Sequence, residues 1–199
     1  MKRCIWCEGS ELYTAYHDEE WGVPVYEDKK HFEFLVLESA QAGLSWLTIL
    51  KKRENYRKAY SGFDPKKVAR YGAKEKNRLL KDAGIVRNRL KIEASITNAQ
   101  KFLEIQKEFG SFTAYIWSFT NGKQITGNWK TLSELPAKTE LSDRVAQDLK
   151  KRGFRFLGSI IMYSHLQATG IVNDHITGCF RRPEIKKLRG QGPSLYKEK

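Results

Sequence analysis

The sequence predicts an all-α protein, and three observations support that fold class. Apolar residues recur at helical spacing along several segments, residues with strong capping preferences stand at the ends of those segments, and glycines mark the breaks between them. Apolar residues make up 40% of the 199 positions, which is ordinary for a folded protein. A chain of this length forms one domain, or two closely joined lobes, with a real hydrophobic core.

The first strongly apolar region lies between residues 31 and 50. Residues 31–37 are almost continuously apolar, and apolar residues resume at Leu44 and continue to Leu50. This density predicts two buried helices with a break at Ala42 and Gly43. Periodicity alone leaves a short strand as an alternative.

The middle of the chain carries helix start and stop signals. Asp64 before Pro65 is typical of an N-cap followed by proline at the first helical position. Gly84 follows apolar residues and predicts the end of that helical region. A long helix is predicted over residues 90–109, where the apolar spacing is helical and Gly110 follows as a stop.

The pattern weakens between residues 111 and 136, where Asn121-Gly122 and Gly127-Asn128 are turn signals. An irregular region with short helices is predicted there. Beyond it, Ser142 is predicted to cap a helix through Lys150, and another helix is predicted over residues 159–169. The residues between them, 151–158 (KRGFRFLG), form a basic hairpin flanked by glycines.

These elements predict a single domain over residues 1–180. Its helical body spans residues 31–170 with the hairpin near 150–159, and residues 1–30 and 171–180 form the terminal segments. Residues 181–199 carry seven basic and two acidic side chains among glycines and prolines, so a flexible basic tail is predicted there.

Charge and cysteine content narrow the function classes. Lys and Arg number 36 against 23 Asp and Glu, and the formal charge of +13 favours a polyanionic partner. No apolar run approaches the ~20 residues that span a membrane, and Met1-Lys2-Arg3 precedes no apolar signal core. A cytoplasmic protein without membrane association is expected. Three cysteines disfavour a disulfide framework and leave reduced thiols for metal binding.

The basic hairpin has the composition of a phosphate-binding turn. Glycines let the backbone approach a phosphate, a following helix offers its N-terminus, and nearby side chains supply positive charge. Lys150, Lys151, Arg152 and Arg155 provide that charge around Gly153. The alternative is an ordinary helix turn with solvated lysines.

Cysteine and histidine pairs near the two ends of the chain suit a tetrahedral zinc ion, which would hold those ends together. Two sets fit the spacing equally well, and both include His175 and Cys179. One set adds Cys4 and His17, and the other adds Cys4 and Cys7. Buried thiols and hydrogen-bonded histidines without metal are the alternative.

Aromatic residues surround one carboxylate in the first fifty residues. Glu38 lies in a nearly apolar helix, where an unpaired charge is costly, so it requires a partner or a chemical task. Trp and Tyr side chains this close in sequence could form a slot for a flat ring, although a helical core also explains most aromatic residues. The aromatic residues are Trp6, Tyr13, Tyr16, Trp21 and Trp46.

Other catalytic patterns are missing from the sequence. There is no P-loop, no G-x-G-x-x-G and no H-E-x-x-H motif, and the acids at residues 18–20 lack metal-ligand spacing.

Five segments, taken in order, resemble the bacterial 3-methyladenine DNA glycosylase I family. The resemblance spans about residues 3–180 and is specific because the motifs keep their order. The segments are 16–24 (YHDEEWGVP), 41–46 (QAGLSW), 50–57 (LKKRENYR), 150–154 (KKRGF) and 172–179 (VNDHITGC).

The resemblance implies a helix-hairpin-helix DNA glycosylase fold, with two helical lobes around a base-binding cleft and a structural zinc tying the termini together. It selects Cys4, His17, His175 and Cys179 as the zinc ligands. The implied base pocket has Glu38 as its catalytic residue, with Tyr16 and Trp46 binding substrate and Trp6, Tyr13 and Trp21 as further walls.

The resemblance also implies DNA contacts. A wedge loop at residues 41–44 would enter the duplex, with Leu44 intercalating, Gln41 filling space and Gly43 between them. The hairpin residues Lys151, Arg152, Gly153 and Arg155 would bind the backbone. The wider superfamily usually has an aspartate at the position of Asn173, and asparagine cannot act there as a general base.

The expected function is monofunctional hydrolysis of the N-glycosidic bond of 3-methyladenine in DNA, a step of base excision repair. The partners would be double-stranded DNA containing an alkylated purine and free 3-methyladenine as product, and the protein would act as a monomer. A non-catalytic helix-hairpin-helix DNA-binding module is the main alternative. A bifunctional lyase would need a lysine in residues 159–174, and none is present.

Overall fold

The computed structural model describes residues 1–41 and 43–188. Over that part of the chain the fold is helical, as predicted, with one very short strand pair. The helices are α1 Glu11–Glu19, α2 Asp28–Gln41, α3 Trp46–Ala59, α4 Pro65–Val68, α5 Ala73–Lys81, α6 Arg89–Phe109, α7 Phe112–Ser118, α8 Glu140–Lys151, α9 Ser159–Ala168 and α10 Arg181–Lys187; the strands are β1 Ile125–Thr126 and β2 Val172–Asn173. Single 3₁₀ turns lie at Ile5–Cys7, Ser61–Phe63 and Leu132–Glu134.

Helix α2 is the centre of the fold. Every side chain from His31 to Ala40 is buried, because α3, α6, α7 and α9 all pack against this helix. A helix that is apolar on all sides must be enclosed in this way. The buried part of α2 contains two acidic residues, Glu33 and Glu38. Each of them therefore needs a partner inside the protein.

The buried apolar residues form two clusters. The larger one runs between α2, α3, α6, α7, α8 and α9. The smaller one joins the first 30 residues to the segment after β2, and its buried members are Cys4, Tyr16, Trp21, Phe34, Leu50, Ala168, Ile176 and Cys179. The Trp46 side chain packs against both clusters, so the two are continuous at the start of α3.

Capping signals correctly placed the start of α4 and the end of α6. The Asp64 carboxylate accepts hydrogen bonds from the Lys66 and Lys67 amides, and Pro65 is the first residue of α4. Helix α6 ends at Phe109, and Gly110 follows with φ +82°, a conformation that glycine adopts easily. The break after α2 and the restart at α3 also agree with the prediction.

Two local predictions were wrong. Ser142 is not the cap of α8, because Thr139 caps that helix and Ser142 is its third residue, bonded back to the Thr139 amide. The all-helical prediction also missed the parallel pair in which Ile125 lies beside Val172 and Thr126 beside Asn173.

The first residues of the predicted flexible tail are helical. Residues Arg181–Lys187 form α10, which is held by the buried Ile185 side chain. The remainder of the predicted tail, residues 189–199, lies outside the described residues.

The loop after α9 is fixed by a glycine. Gly170 has φ +68°, and a Cβ atom built there would lie 2.5 Å from the Gly22 carbonyl oxygen and from two backbone atoms of Val23 and Pro24. Only glycine permits this approach, which joins the N-terminal segment to the chain entering β2. In the described part of the chain, no helix has both the length and the apolar character that crossing a bilayer requires.

Candidate functional site

A cavity of about 200 Å³ opens where the smaller apolar cluster meets the central helix. For comparison, an apolar cavity of about 150 Å³ suffices to bind benzene in another protein. Residues from the first 3₁₀ turn, α1, α2, α3, α9 and the segment around β2 line it: Cys4, Ile5, Trp6, Tyr13, Tyr16, Trp21, Glu38, Gln41, Trp46, Leu132, Leu135, Ser164, Gln167, Ala168, Asp174 and Ile176.

Glu38 is the carboxyl group at the inner wall of this cavity. Its side chain is 2% exposed, and its Oε2 atom lies 2.8 Å from Nδ1 of His165. Its Oε1 atom is buried and has no hydrogen-bond partner in the protein. Burial raises the pKa of this carboxyl well above its usual value, so the acid form is favoured. An orphaned buried oxygen in a cavity is a group prepared to bind a ligand.

Tyr16 and Trp46 are neighbouring walls rather than the two sides of a slot. Their ring centroids are 5.7 Å apart and their planes are inclined by 56°. A ring held flat between two others would need a separation of about 7 Å, twice the carbon–carbon contact distance. A flat ligand can therefore lie against the face of one of these rings and meet the edge of the other.

The remaining predicted aromatic walls form a connected group. The Trp6 ring is the centre of the group, with centroids 4.9 Å from Tyr13 and 5.1 Å from Trp21 in edge-to-face contacts. Such contacts add to burial in fixing the rings. Burial also raises the pKa of Tyr16 well above its usual value, so this hydroxyl keeps its proton.

Asp174 also lines the cavity, but both of its carboxylate oxygens already accept hydrogen bonds from other side chains. Its carboxylate accepts hydrogen bonds from Trp129 Nε1 at 2.7 Å, from Gln167 Nε2 at 2.9 Å and from the Tyr163 hydroxyl. Asn173 does not line the cavity; its amide donates to the Arg182 carbonyl oxygen at 3.1 Å. Glu38 is therefore the one carboxyl of the described cavity lining that has a free acceptor atom.

The predicted wedge segment lies beside the cavity. Gln41 ends α2 and lines the cavity, Gly43 has φ +81°, and Leu44 is 42% exposed although it is large and apolar. The Ser45 hydroxyl then accepts a hydrogen bond from the Thr48 amide and starts α3. Ala42 lies outside the described residues.

The predicted hairpin joins α8 to α9. Gly153 turns the chain with φ +92°, and Asn98 of α6 holds the turn by one hydrogen bond to each backbone polar group of Arg155, at 2.8 and 2.9 Å. The side chains of Lys151 and Arg155 are exposed.

Arg152 differs from the other hairpin cations. Its guanidinium lies 2.6 Å from Glu108 and 2.7 Å from Asp148, and it packs over the rings of Phe109 and Tyr115. Its charge is thus paired with these two carboxylates at the protein surface.

Four of the predicted metal ligands converge. The donor atoms of Cys4, His17, His175 and Cys179 all lie within 4.8 Å of one another, and all four residues are buried. Three sulfur–nitrogen separations are 3.4, 3.5 and 3.7 Å. A tetrahedral zinc with usual bond lengths requires about 3.6 Å between a sulfur and a nitrogen ligand, so the spacing fits that ion.

The other ring nitrogens of the two histidines face acceptors. His17 Nδ1 lies 2.8 Å from an Asp18 oxygen, and His175 Nε2 lies 3.1 Å from the Trp21 carbonyl oxygen. Each acceptor fixes the proton on the outer nitrogen, so the inner lone pair is available to a metal.

Cys7 lies outside this group because its Sγ donates to the Cys4 carbonyl oxygen at 3.0 Å. Burial raises the pKa of Cys7 to about 11, which keeps it a thiol.

Sequence reasoning missed two buried histidines, His31 and His165. They face one another at 3.1 Å, although they are 134 residues apart in sequence. The one signal for them was a histidine within an apolar helical segment, where a polar ring requires a buried partner.

A sequence model of the methyladenine glycosylase family matches residues 6–182. DNA-3-methyladenine glycosylase 1 of Escherichia coli strain K12 is 50% identical over 186 residues, which cover 94% of this chain and 100% of that protein. DNA-3-methyladenine glycosylase of Haemophilus influenzae is 44% identical, over 89% of this chain and 96% of its own length.

Solved structures agree with these sequence matches. A tyrosine-to-phenylalanine variant of 3-methyladenine DNA glycosylase I, in complex with 3-methyladenine, superposes with a TM-score of 0.89 at 39% identity and covers 92% of this chain and 98% of its own. Another crystal structure of 3-methyladenine DNA glycosylase I has a TM-score of 0.87 at 49% identity, over 90% of this chain and 98% of that one.

Proposed function

The chain belongs to the methyladenine glycosylase family, and from that premise we propose that it excises 3-methyladenine from DNA by hydrolysing the N-glycosidic bond. The observation that carries the proposal is the buried Glu38 carboxyl, which lines an aromatic cavity and whose Oε1 atom has no hydrogen-bond partner in the protein. A DNA-binding module has no use for such a group beside Trp46 and Tyr16.

The chemistry of the substrate explains why so few catalytic groups are needed. Methylation at N3 gives the base a positive charge, so the C1′–N9 bond breaks with both electrons passing to the base, which leaves as a neutral molecule. Water then adds to C1′ of the sugar and loses a proton. The enzyme must extrude the nucleotide, recognise the alkylated base and discriminate against unmodified bases.

Recognition of the positive charge is assigned to the aromatic walls. A cationic base that lies against the face of Trp46 or of Tyr16 is attracted by about 1–2 kcal/mol when water is excluded. Neutral adenine lacks that attraction. Because burial favours the acid form of Glu38, its Oε1 atom acts as a carbonyl-type acceptor for an N–H on the base edge and orients the ring.

Duplex binding is assigned to two surfaces. The exposed Leu44 side chain would occupy the space that the extruded base leaves, with Gln41 beside it and Gly43 allowing the turn. The backbone at Gly153 and the exposed Lys151 and Arg155 would bind phosphates. Arg152 contributes to that surface mainly by holding the hairpin, since its charge is paired.

Zinc is proposed as a structural ion held by Cys4, His17, His175 and Cys179. Four protein ligands leave no open position for substrate, so the ion would supply folding energy and no chemistry. It would fix the cavity wall indirectly, because Cys4 lines the cavity and His17 follows Tyr16 in α1. The protein is proposed to act as a monomer on double-stranded DNA in the cytoplasm.

The proposal is tested by release of free 3-methyladenine from methylated duplex DNA under single-turnover conditions. The wild type is expected to release the base, and Glu38→Gln to be slower and to bind the free base more weakly. Failure of the folded wild type to release any base would refute the enzyme and favour the DNA-binding module.

Glu33→Gln is a matched control for Glu38→Gln. Glu33 lies on the same helix and is also buried, but its carboxylate pairs with Arg53 at 2.8 Å and Arg57 at 2.9 Å outside the cavity. This variant should lose stability and keep excision. An equal loss of excision in both variants would mean that charge burial in α2, and not the cavity carboxyl, governs activity.

A further inference from the structure

A line of three buried titratable side chains runs from the cavity into the core. Glu38 Oε2 lies 2.8 Å from His165 Nδ1, His165 Nε2 lies 3.1 Å from His31 Nδ1, and His31 Nε2 lies 3.2 Å from the Val25 carbonyl oxygen. Both histidine side chains are fully buried, and Glu38 is 2% exposed. The line ends at the unpartnered Oε1 atom of Glu38, and Glu38 lines the cavity.

The far end of the line fixes the direction of every hydrogen bond in it. A carbonyl oxygen only accepts, so His31 must carry its proton on Nε2. In a neutral ring, His31 Nδ1 is then an acceptor, and His165 must donate from Nε2. In the same way His165 Nδ1 is an acceptor, so the proton of the last link belongs to Glu38 Oε2.

Burial supports neutral rings throughout. It lowers the pKa of His31 and of His165 to about 3, and it raises the pKa of Glu38. The other charge that acts on His31 is Asp28, whose carboxylate is occupied by Gln106 and by the first amides of α7. Over the neutral pH range each histidine therefore carries a single ring proton, and the carboxyl proton stays on Glu38.

We propose that His165 is a positioning residue for Glu38, which it holds as an acid with the proton on Oε2, so that Oε1 offers only lone pairs to the base. His31 sets the tautomer of His165 and thereby acts through it. This inference rests on the proposed function, since it assigns the Glu38 oxygen its role towards the base edge. Neither histidine lies in any of the sequence segments from which the cavity was predicted.

Positioning of the proton matters because either oxygen of a carboxylic acid can carry it. Without an acceptor at Oε2, the proton could reside on Oε1, and the group would then present a donor to the N–H groups of the base edge. One lost hydrogen bond with a donor facing a donor corresponds to about tenfold weaker binding. Fixing the proton on the inner oxygen prevents this.

Histidine tautomers can be measured directly by long-range ¹⁵N–¹H correlation spectra of the imidazole nitrogens between pH 5 and 8. Both His31 and His165 are expected to be neutral over that range, with the proton on Nε2. An imidazolium at His165, a proton on Nδ1 with a bare Nε2, or titration of either ring near pH 6.5 would overturn the proposal.

A matched pair of variants separates positioning from packing. The side-chain amide of Asn is two bonds from Cβ, as Nδ1 is in histidine, whereas the amide of Gln is three bonds away, as Nε2 is. His165→Asn therefore keeps an acceptor for Glu38 and loses the link to His31, and His165→Gln does the reverse. Both remove the ring and leave some empty volume.

The readout is the affinity for free 3-methyladenine, measured by titration calorimetry on variants whose folding is checked by circular dichroism. His165→Gln is expected to bind about tenfold more weakly than wild type, and His165→Asn to recover most of that loss. Equal affinities for the two variants would overturn the positioning role. If either variant does not fold, the tautomer spectra of the wild type still decide.

These measurements distinguish the inference from the proposed function, because neither requires excision. A wild type with the expected tautomers that releases no base from DNA would refute the glycosylase and leave the proton arrangement standing. A wild type that excises the base but carries an imidazolium at His165 would do the opposite.

Discussion

The two buried neutral histidines should make the protein sensitive to mild acid, and His31→Phe should remove part of that sensitivity. Burial holds the pKa of His31 near 3 in the folded protein, whereas in the unfolded chain it returns to about 6.5. Phenylalanine keeps a ring of similar size beside Phe112, whose centroid is 5.6 Å from that of His31. The change therefore removes the titration with little loss of packing.

The sign follows from where the proton binds. Below pH 6.5 the unfolded chain gains a proton at His31 that the folded protein does not bind until about pH 3. Stability due to the neutral ring is complete above pH 6.5 and is lost as the pH falls, by about 1.4 kcal/mol for each pH unit. Between pH 7.5 and 5.0 this amounts to about 2 kcal/mol for one histidine.

The contribution of Glu38 to stability changes with pH in the opposite direction to that of His31. Because the pKa of Glu38 is raised in the folded protein, its contribution is complete below pH 4.5 and is lost at higher pH. Contributions of groups that do not contact His31, Glu38 among them, are shared by wild type and variant and cancel in the difference between the two proteins.

The assay is urea unfolding of both proteins at pH 7.5 and 5.0. The variant loses the acceptor for His165 Nε2, so a constant cost of about 1–3 kcal/mol is expected at both pH values. Relative to the variant, the wild type should lose about 2 kcal/mol more on acidification. Phe102→Leu, a core change without a titrating group, is the control and should differ from wild type equally at both pH values. A pH-independent difference for His31→Phe would refute the reasoning.

Three further predictions concern other parts of the structure. Chelation of zinc, or Cys179→Ser, should lower the melting temperature, while Cys7→Ser should leave metal content unchanged; equal zinc loss in both variants, measured by atomic absorption, would contradict the assigned ligands. Gly170→Ala should lower the unfolding free energy by about 3 kcal/mol, because its Cβ atom would meet backbone atoms at 2.5 Å. Gly43→Ala should cost only about 1 kcal/mol, because Gly43 has φ +81° but open space around it. Similar urea midpoints for the two variants would contradict this difference. Leu44→Ala should slow excision from duplex DNA and leave both stability and binding of the free base unchanged; a fall in free-base affinity would instead place this side chain in the cavity.

Local signals predicted the helices well, because a cap is a contact between residues near in sequence. Asp64, Pro65 and Gly110 act within one turn of the chain, and each lies where the sequence placed it. The strand pair could not be found in this way. Two-residue strands carry no periodicity, and the partner of Ile125 is 47 positions away, at Val172.

Some features of the candidate site could likewise be predicted from the sequence, and others depend on the fold. The candidate role of Glu38 followed from its presence in an apolar helix, and the candidate metal pairs followed from cysteine and histidine spacing. The choice between His17 and Cys7, the tilt between Tyr16 and Trp46, and the contact between His31 and His165 depend on three-dimensional placement. Spacing in the sequence carries no information on any of them.

The closure of the metal cluster has a consequence for the order of biosynthesis. Cys4 and His175 are 171 residues apart, and the cavity walls Trp6, Tyr13 and Tyr16 are carried by the segment that leaves the ribosome first. Until the residues around β2 emerge, the cavity lacks the part of its wall that Gln167, Asp174 and Ile176 form. We therefore expect the nascent chain to acquire its base pocket only as synthesis reaches the second ligand pair, so that truncated products cannot compete for damaged DNA.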